Sequence, residues 1–245
     1  MKKVFLSLSV TISLFASDKL LPQKELNSVL KSSILYPRLA QDIKKGLIKV
    51  RGVKKDGFYI INIQTKRGAG NIYITADKKY TVIGRILNNK NGSTLSANFP
   101  VNKKIVNEGI SFSFGKGKKD LYVVTDPECP FCRMMEQKTK NNLAKNYRVH
   151  VILFPLPFHK DARAMSCYIL AGRTNKKRHK RFKETLLGGN EWKNYKPSKT
   201  ELNKCYSELE KSKRAAIELQ AKGTPSVYDE NFNSIEWPSL VKGKK

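Results

Sequence analysis

The sequence predicts an α+β chain of two units, and three observations predict it. A helix-spaced segment near the start is followed by four β-branched and aromatic runs separated by turn residues. A strand, a helix opening on Cys129-Pro130-Phe131-Cys132, and a second strand then succeed one another within about 35 residues, the size of a βαβ unit. A helical block finally ends at Gly223-Thr224-Pro225 and passes into a terminal hairpin. A length of 245 residues suits one large unit or two modest ones. A mean hydropathy of −0.49 excludes a polytopic membrane protein, and the aromatic content and regular apolar runs exclude a wholly disordered chain.

Lys2 and Lys3 precede an uncharged run from Val4 to Ala16, and the polar stretch Ser17-Asp18-Lys19 follows. This is the layout of a signal peptide over residues 1–16, and the run is short for the roughly 20 residues of a membrane span. Export into an oxidising compartment follows, where disulfides persist.

Residues 17–93 form the first unit. Leu26, Val29, Leu30, Ser33, Ile34 and Leu35 recur near helical spacing within 24–45, with Pro37 breaking or kinking the run. Strands are expected over 47–53, 57–65, 70–76 and 80–87, between the turns KKDG, KRGAG and DKK. Some 70 residues, as a rough count, bury little core alone, so pairing with a second copy is expected. Residues 94–109, weakly patterned and containing Pro100, read as a linker.

Residues 110–245 form the second unit. An edge hairpin leads into the apolar strand Leu121 to Thr125, which ends at the turn Asp126-Pro127-Glu128. A helix from Cys129 to about 145 and a strand over 148–157 complete the βαβ unit. Within the helical block of 161–223, Ser198 and Glu201 make a capping box. The hairpin joins 225–230 to 234–237.

The chemistry gathers at Cys129 and Cys132. Two thiols separated by two residues can close a disulfide ring, and a cysteine at a helix N-terminus faces unpaired N–H groups that favour its thiolate. Cys129 is therefore the candidate nucleophile. Cys132, one turn in, is the resolving thiol that attacks a mixed disulfide. Half of a zinc site is the competing reading, but Cys167 and Cys205 stand alone, without ligand spacing, so no metal is expected. A Cys-x-x-Cys pair in a βαβ unit reads as thioredoxin-like, and there the proline opening a later strand is cis and faces the dithiol. That places Thr224 and Pro225 as the substrate-binding pair, offering backbone to an extended peptide.

Residues 110–132, ISFSFGKGKKDLYVVTDPECPFC, and GTPSVY at 223–228 resemble the DsbC/DsbG family of periplasmic disulfide isomerases, and GNIYITADKKYTVIGRIL at 70–87 resembles its N-terminal domain. The resemblance implies a cystatin-like dimerisation domain and a thioredoxin-like catalytic domain with a helical insert. It further implies a periplasmic homodimer without cofactor that reshuffles disulfides of unfolded or misoxidised exported proteins and is kept reduced by a DsbD-type membrane donor. It also implies a second, non-catalytic disulfide between Cys167 and Cys205, with two independent buried thiols as the alternative. Closing that loop of 38 residues would contribute about 4 kcal/mol in the chain-entropy model. Pro130-Phe131 is nearer to DsbG-like or oxidase-like centres, so a DsbA-like oxidase is the other enzyme reading. A basic periplasmic binding protein with a structural dithiol is the non-enzyme one.

The net charge of +28 falls to +26 once the two lysines of residues 1–16 are removed. It is spread along the chain, although KKRHKRFK at 176–183 is its densest block. No aromatic-interleaved or helix-turn-helix pattern accompanies it, so nucleic acid is not an expected partner. His150, His159 and His179 do not cluster and read as surface or strand-packing residues, and Met134 and Met135 read as core.

Overall fold

The computed structural model describes residues 18–65, 68–139 and 142–241, so the expected signal peptide lies outside the described residues. The first unit opens with two helices, α1 (Gln23–Ser32) and α2 (Tyr36–Lys44). Pro37 lies in the first turn of α2, where its missing N–H costs nothing, so it starts a second helix rather than kinking one long one. Four strands follow, β1 (Ile48–Lys55), β2 (Phe58–Thr65), β3 (Ala69–Thr75) and β4 (Thr81–Ile83), paired antiparallel in sequence order. β4 stops after three residues, shorter than the run 80–87 suggests.

Alternation along these strands divides their side chains between two faces. Tyr59, Ile61, Ile72 and Ile74 pack under Leu26, Val29, Leu30 and Leu39 of the helices. Val53, Ile60 and Tyr73 line the other face, and Ala97 and Phe99 cover it. The stretch expected as a linker is thus packed, and it contains the helix α3 (Lys103–Glu108). Asn102 caps that helix by accepting from the backbone N–H groups of Lys104 and Ile105. Six residues are too few to display a helical period, which is why the pattern reads as weak.

The second unit is a five-stranded sheet in the order β5-β7-β6-β8-β9, with β5 (Phe112–Phe114), β6 (Lys119–Thr125), β7 (Tyr147–Leu153), β8 (Ser226–Tyr228) and β9 (Ser234–Ile235). β6 and β7 run parallel, as the βαβ reading requires, while β8 returns antiparallel against β6. β5 and β6 do not form the expected hairpin, because β7 lies between them. Gly115 and Gly117 make this crossing feasible: a Cβ on either would strike the backbone around Asn146 and Tyr147.

The helices are α4 (Pro130–Thr139), α5 (Asn142–Asn146), α6 (Ala162–Leu170), α7 (Asn175–Leu186) and α8 (Lys199–Glu218). Leu121 and Val123 point into the cluster with Met135, Ile169, Leu170, Phe182 and Leu209, whereas Tyr122 and Val124 meet Val106, Ala215, Ala216 and Leu219 on the opposite face. α8 therefore serves both faces, and its N-terminus carries the expected capping box between Ser198 and Glu201. Arg51 of β1 ties the units together through Glu218 at the end of α8 (3.2 Å) and the Pro100 carbonyl (2.8 Å).

Candidate active site

β6 delivers the chain to the top of the sheet, and α4 starts at Pro130, so Cys129 stands at the strand–helix junction. Its backbone is fixed locally: Cys129 N–H donates to the Asp126 carbonyl (3.2 Å), and its own carbonyl accepts from Cys132 N–H and Arg133 N–H, both at 3.1 Å. Cys132 lies one turn into α4 and is fully buried among Leu121, Val123 and Met135. Both thiols are free in this structure.

Across from Cys129 the Thr224-Pro225 bond is cis, and the Cys129 Sγ–H donates to the Thr224 carbonyl at 3.3 Å. The two expected site elements, 95 residues apart in sequence, thus meet at one sulfur. Several donors hold the Cys129 thiol well below its ordinary range. The largest contribution is the hydrogen bond from Cys132; burial opposes it, and the Thr224 side chain and the N–H groups of Cys132 and Phe131 add to it. Cys132 moves the opposite way. Burial pushes its thiol up, and the neighbouring Cys129 thiolate adds to that. One cysteine is therefore poised as thiolate and the other keeps its proton.

Sequence reasoning missed the residues that brace this pair. Asp126, read as a turn residue, is fully buried; its Oδ1 accepts from Glu128 N–H (2.8 Å), and its Oδ2 accepts from Leu156 N–H (2.7 Å) and His159 Nδ1–H (2.8 Å). Its own N–H points to Cys132 Sγ at 3.5 Å. Glu128 caps α6, accepting from the N–H groups of Asp161 (2.7 Å) and Ala162 (2.8 Å), so its charge is spent on a helix N-terminus rather than on the neighbouring thiolate. A carboxyl three residues before a candidate nucleophile was the one signal available in the sequence.

Two aromatic side chains stand out from this region: Phe131, between the two cysteines in sequence, is 59% exposed, and Phe158, next to His159, is 77% exposed. Met134, expected in the core, is also exposed, while Met135 is buried. Cys167 and Cys205 are disulfide-bonded and join α6 to α8 within the insert. His150 bonds Ser113 and Asp120, and His179 stacks on Phe114, where burial pushes its imidazole down to about 4. In the basic block, Arg178 binds Glu208 and Arg181 donates to the Tyr168 carbonyl, so part of that charge is structural. No three His, Cys, Asp or Glu side chains among the described residues gather as metal ligands. No helix among them is long and apolar enough to cross a membrane.

A sheet with parallel β6 and β7, a dithiol at the start of α4 and a cis-proline strand opposite define a thioredoxin-like thiol–disulfide oxidoreductase. Residues 113–231 match the model of the thioredoxin-like domain family. No curated protein matches the chain. Among solved structures it is similar to DsbG of Helicobacter pylori, with 14% identity, 78% of this chain and 97% of that one covered, and a TM-score of 0.40. It is also similar to a thioredoxin-like oxidoreductase of Silicibacter pomeroyi DSS-3 (15% identity, 57% and 93% covered, TM-score 0.44) and to ScsC of Proteus mirabilis (16%, 56% and 72%, 0.40).

Proposed function

We propose that the protein is an exported, periplasmic disulfide isomerase and reductase of the DsbC/DsbG type, acting on unfolded or misoxidised exported proteins. The observation that carries this reading is the pairing of Cys129 with the cis Thr224-Pro225 carbonyl while Cys132 waits buried behind it. The Cys129 thiolate attacks a sulfur of the client disulfide, that S–S bond breaks, and the released client sulfur takes a proton. A client thiolate can then attack the mixed disulfide, restoring Cys129 and leaving a rearranged client. Alternatively, Cys132 loses its proton and attacks Cys129 Sγ, which closes the enzyme disulfide and frees a reduced client. A DsbD-type membrane donor would return the pair to the dithiol. The exposed Phe131 and Phe158 suit the apolar segments that misfolded chains display.

A homodimer through the N-terminal unit completes the proposal, because two dithiols facing one client allow repeated attack. An oxidase is the second reading. The lowered Cys129 thiol favours it, since stabilising the reduced form makes the disulfide a stronger oxidant.

Trapping tests the assigned roles. Cys132→Ala lacks the resolving attack and should accumulate mixed disulfides between Cys129 and clients on non-reducing gels, whereas Cys129→Ala should trap none. Equal trapping by both variants would refute the roles. Recovery of a scrambled multi-disulfide protein, together with a reduced dithiol in cells, separates isomerase from oxidase.

A further inference from the structure

We propose that His159 is a positioning residue of the dithiol: its protonated ring, held by Asp126, favours the Cys129 thiolate and releases its proton as that thiolate is consumed. The inference rests on Cys129 being the nucleophile. Asp126 is the structural reason for it, because one residue touches all three groups. Its carbonyl accepts from Cys129 N–H (3.2 Å), its N–H reaches Cys132 Sγ (3.5 Å), and its Oδ2 accepts from His159 Nδ1–H (2.8 Å). The carboxyl is fully buried, so its bond to the imidazole is shielded from solvent, yet the His159 side chain keeps 16% exposure and can exchange its proton with water. The Phe158 ring meets the imidazole edge-on, with 4.7 Å between ring centres.

The groups that act on His159 are Asp126, Glu128 and Cys129. Burial pushes the imidazole down, but the bond to Asp126 and the attraction of these three groups outweigh it and hold the ring above its ordinary value. The influence is reciprocal. A protonated His159 stabilises the thiolate, and loss of the thiolate to a disulfide weakens the hold on that proton.

The reaction then balances without a proton from elsewhere. Cys129 as thiolate, Cys132 as thiol and protonated His159 meet a client disulfide. The client S–S bond takes two electrons and breaks while the Cys129–Cys132 bond forms. The Cys132 proton and the His159 proton account for the two client thiols.

Two measurements on the full mature chain test this. In the wild type, imidazole NMR should give His159 a lower titration midpoint in the oxidised than in the reduced protein; equal midpoints would overturn the proposal. His159→Asn keeps a donor where Nδ1 stands but removes the charge. Its Cys129 alkylation profile, followed by mass spectrometry, should move to higher pH, with the rate at a pH below both midpoints falling about tenfold for each pH unit of displacement. Its dithiol should also become more reducing, by about 30 mV for a tenfold change in the exchange constant. A purely structural latch predicts an unchanged profile and potential, and that result overturns the proposal. If the variant does not fold, the wild-type titration decides. If wild-type Cys129 is not the fast thiol, the reading of the dithiol itself fails, a result distinct from an unshifted profile in the variant.

Discussion

Cys129 and Cys132 carry the same side chain three positions apart, and their surroundings give them opposite chemistry. Cys129 keeps slight exposure and faces donors from Cys132 and the backbone, whereas Cys132 is fully buried. The asymmetry couples to stability. Because the folded pKa of Cys129 is lowered, the unfolded chain binds the extra proton between the folded value and the roughly 8.5 of a free thiol, and reduced protein gains stability as pH rises through that window. The contribution is complete above the unfolded value and is lost as pH falls through the folded one. We expect the urea midpoint of reduced wild type to rise with rising pH across this window relative to Cys129→Ser; parallel curves would contradict the lowered thiol. The dithiol and Thr224-Pro225 were legible because both are contiguous and their chemistry follows from local position. Asp126 and His159 were not, since a turn aspartate and a lone histidine acquire meaning only from a contact across 33 residues.

At the scale of elements, β-branched, aromatic and continuous apolar runs bounded by turn residues made β1, β2, β3, β6 and β7 readable. The errors fell where non-local packing decides. The hairpin expected before Leu121 fails because β7 inserts between β5 and β6, and no residue in 110–126 announces a strand contributed by 147–153. The insert is different, for its helices carry their own signals and the disulfide fixes how two of them meet. Cys167 and Cys205 bridge α6 and α8 with a separation of 38 residues. Removing that link restores freedom to the unfolded chain, so Cys167→Ser with Cys205→Ser should lower stability by about 4 kcal/mol in the chain-entropy model, read from urea unfolding. The alkylation rate of Cys129 should persist, because neither Cys167 nor Cys205 takes part in the hydrogen bonds that hold the dithiol. An unchanged urea midpoint would show that the insert is held by packing alone.

For the whole molecule, the question is what the N-terminal unit contributes to a site it does not touch. It is fastened to the catalytic unit by Arg51, which is 17% exposed in its side chain and sits over the Phe99 ring while pairing with Glu218 at 10%. Removing one partner of such a pair typically costs about 3–5 kcal/mol, so the clamp resists separation of the units. The opposite end of the N-terminal sheet is open. β4 pairs only with β3, leaving one edge free among the described residues, and Tyr80 (67%) and Ile83 (71%) are exposed along it. Ser33 bonds Thr81 at 3.1 Å, which brings the exposed Ile34 to the same edge. Unpaired N–H and C=O groups beside apolar side chains invite another strand, and a second copy supplies one by symmetry. We therefore expect the mature protein to be a dimer by light scattering at micromolar concentration and Tyr80→Lys with Ile83→Lys to be a monomer. The charged pair should leave Cys129 alkylation unchanged, since the dithiol lies in the other unit, but should abolish recovery of a scrambled client, which needs two dithiols held around one chain. A wild-type monomer, or a monomeric variant that still unscrambles, would remove the N-terminal unit from the mechanism and leave Cys129 and Cys132 working as a single site.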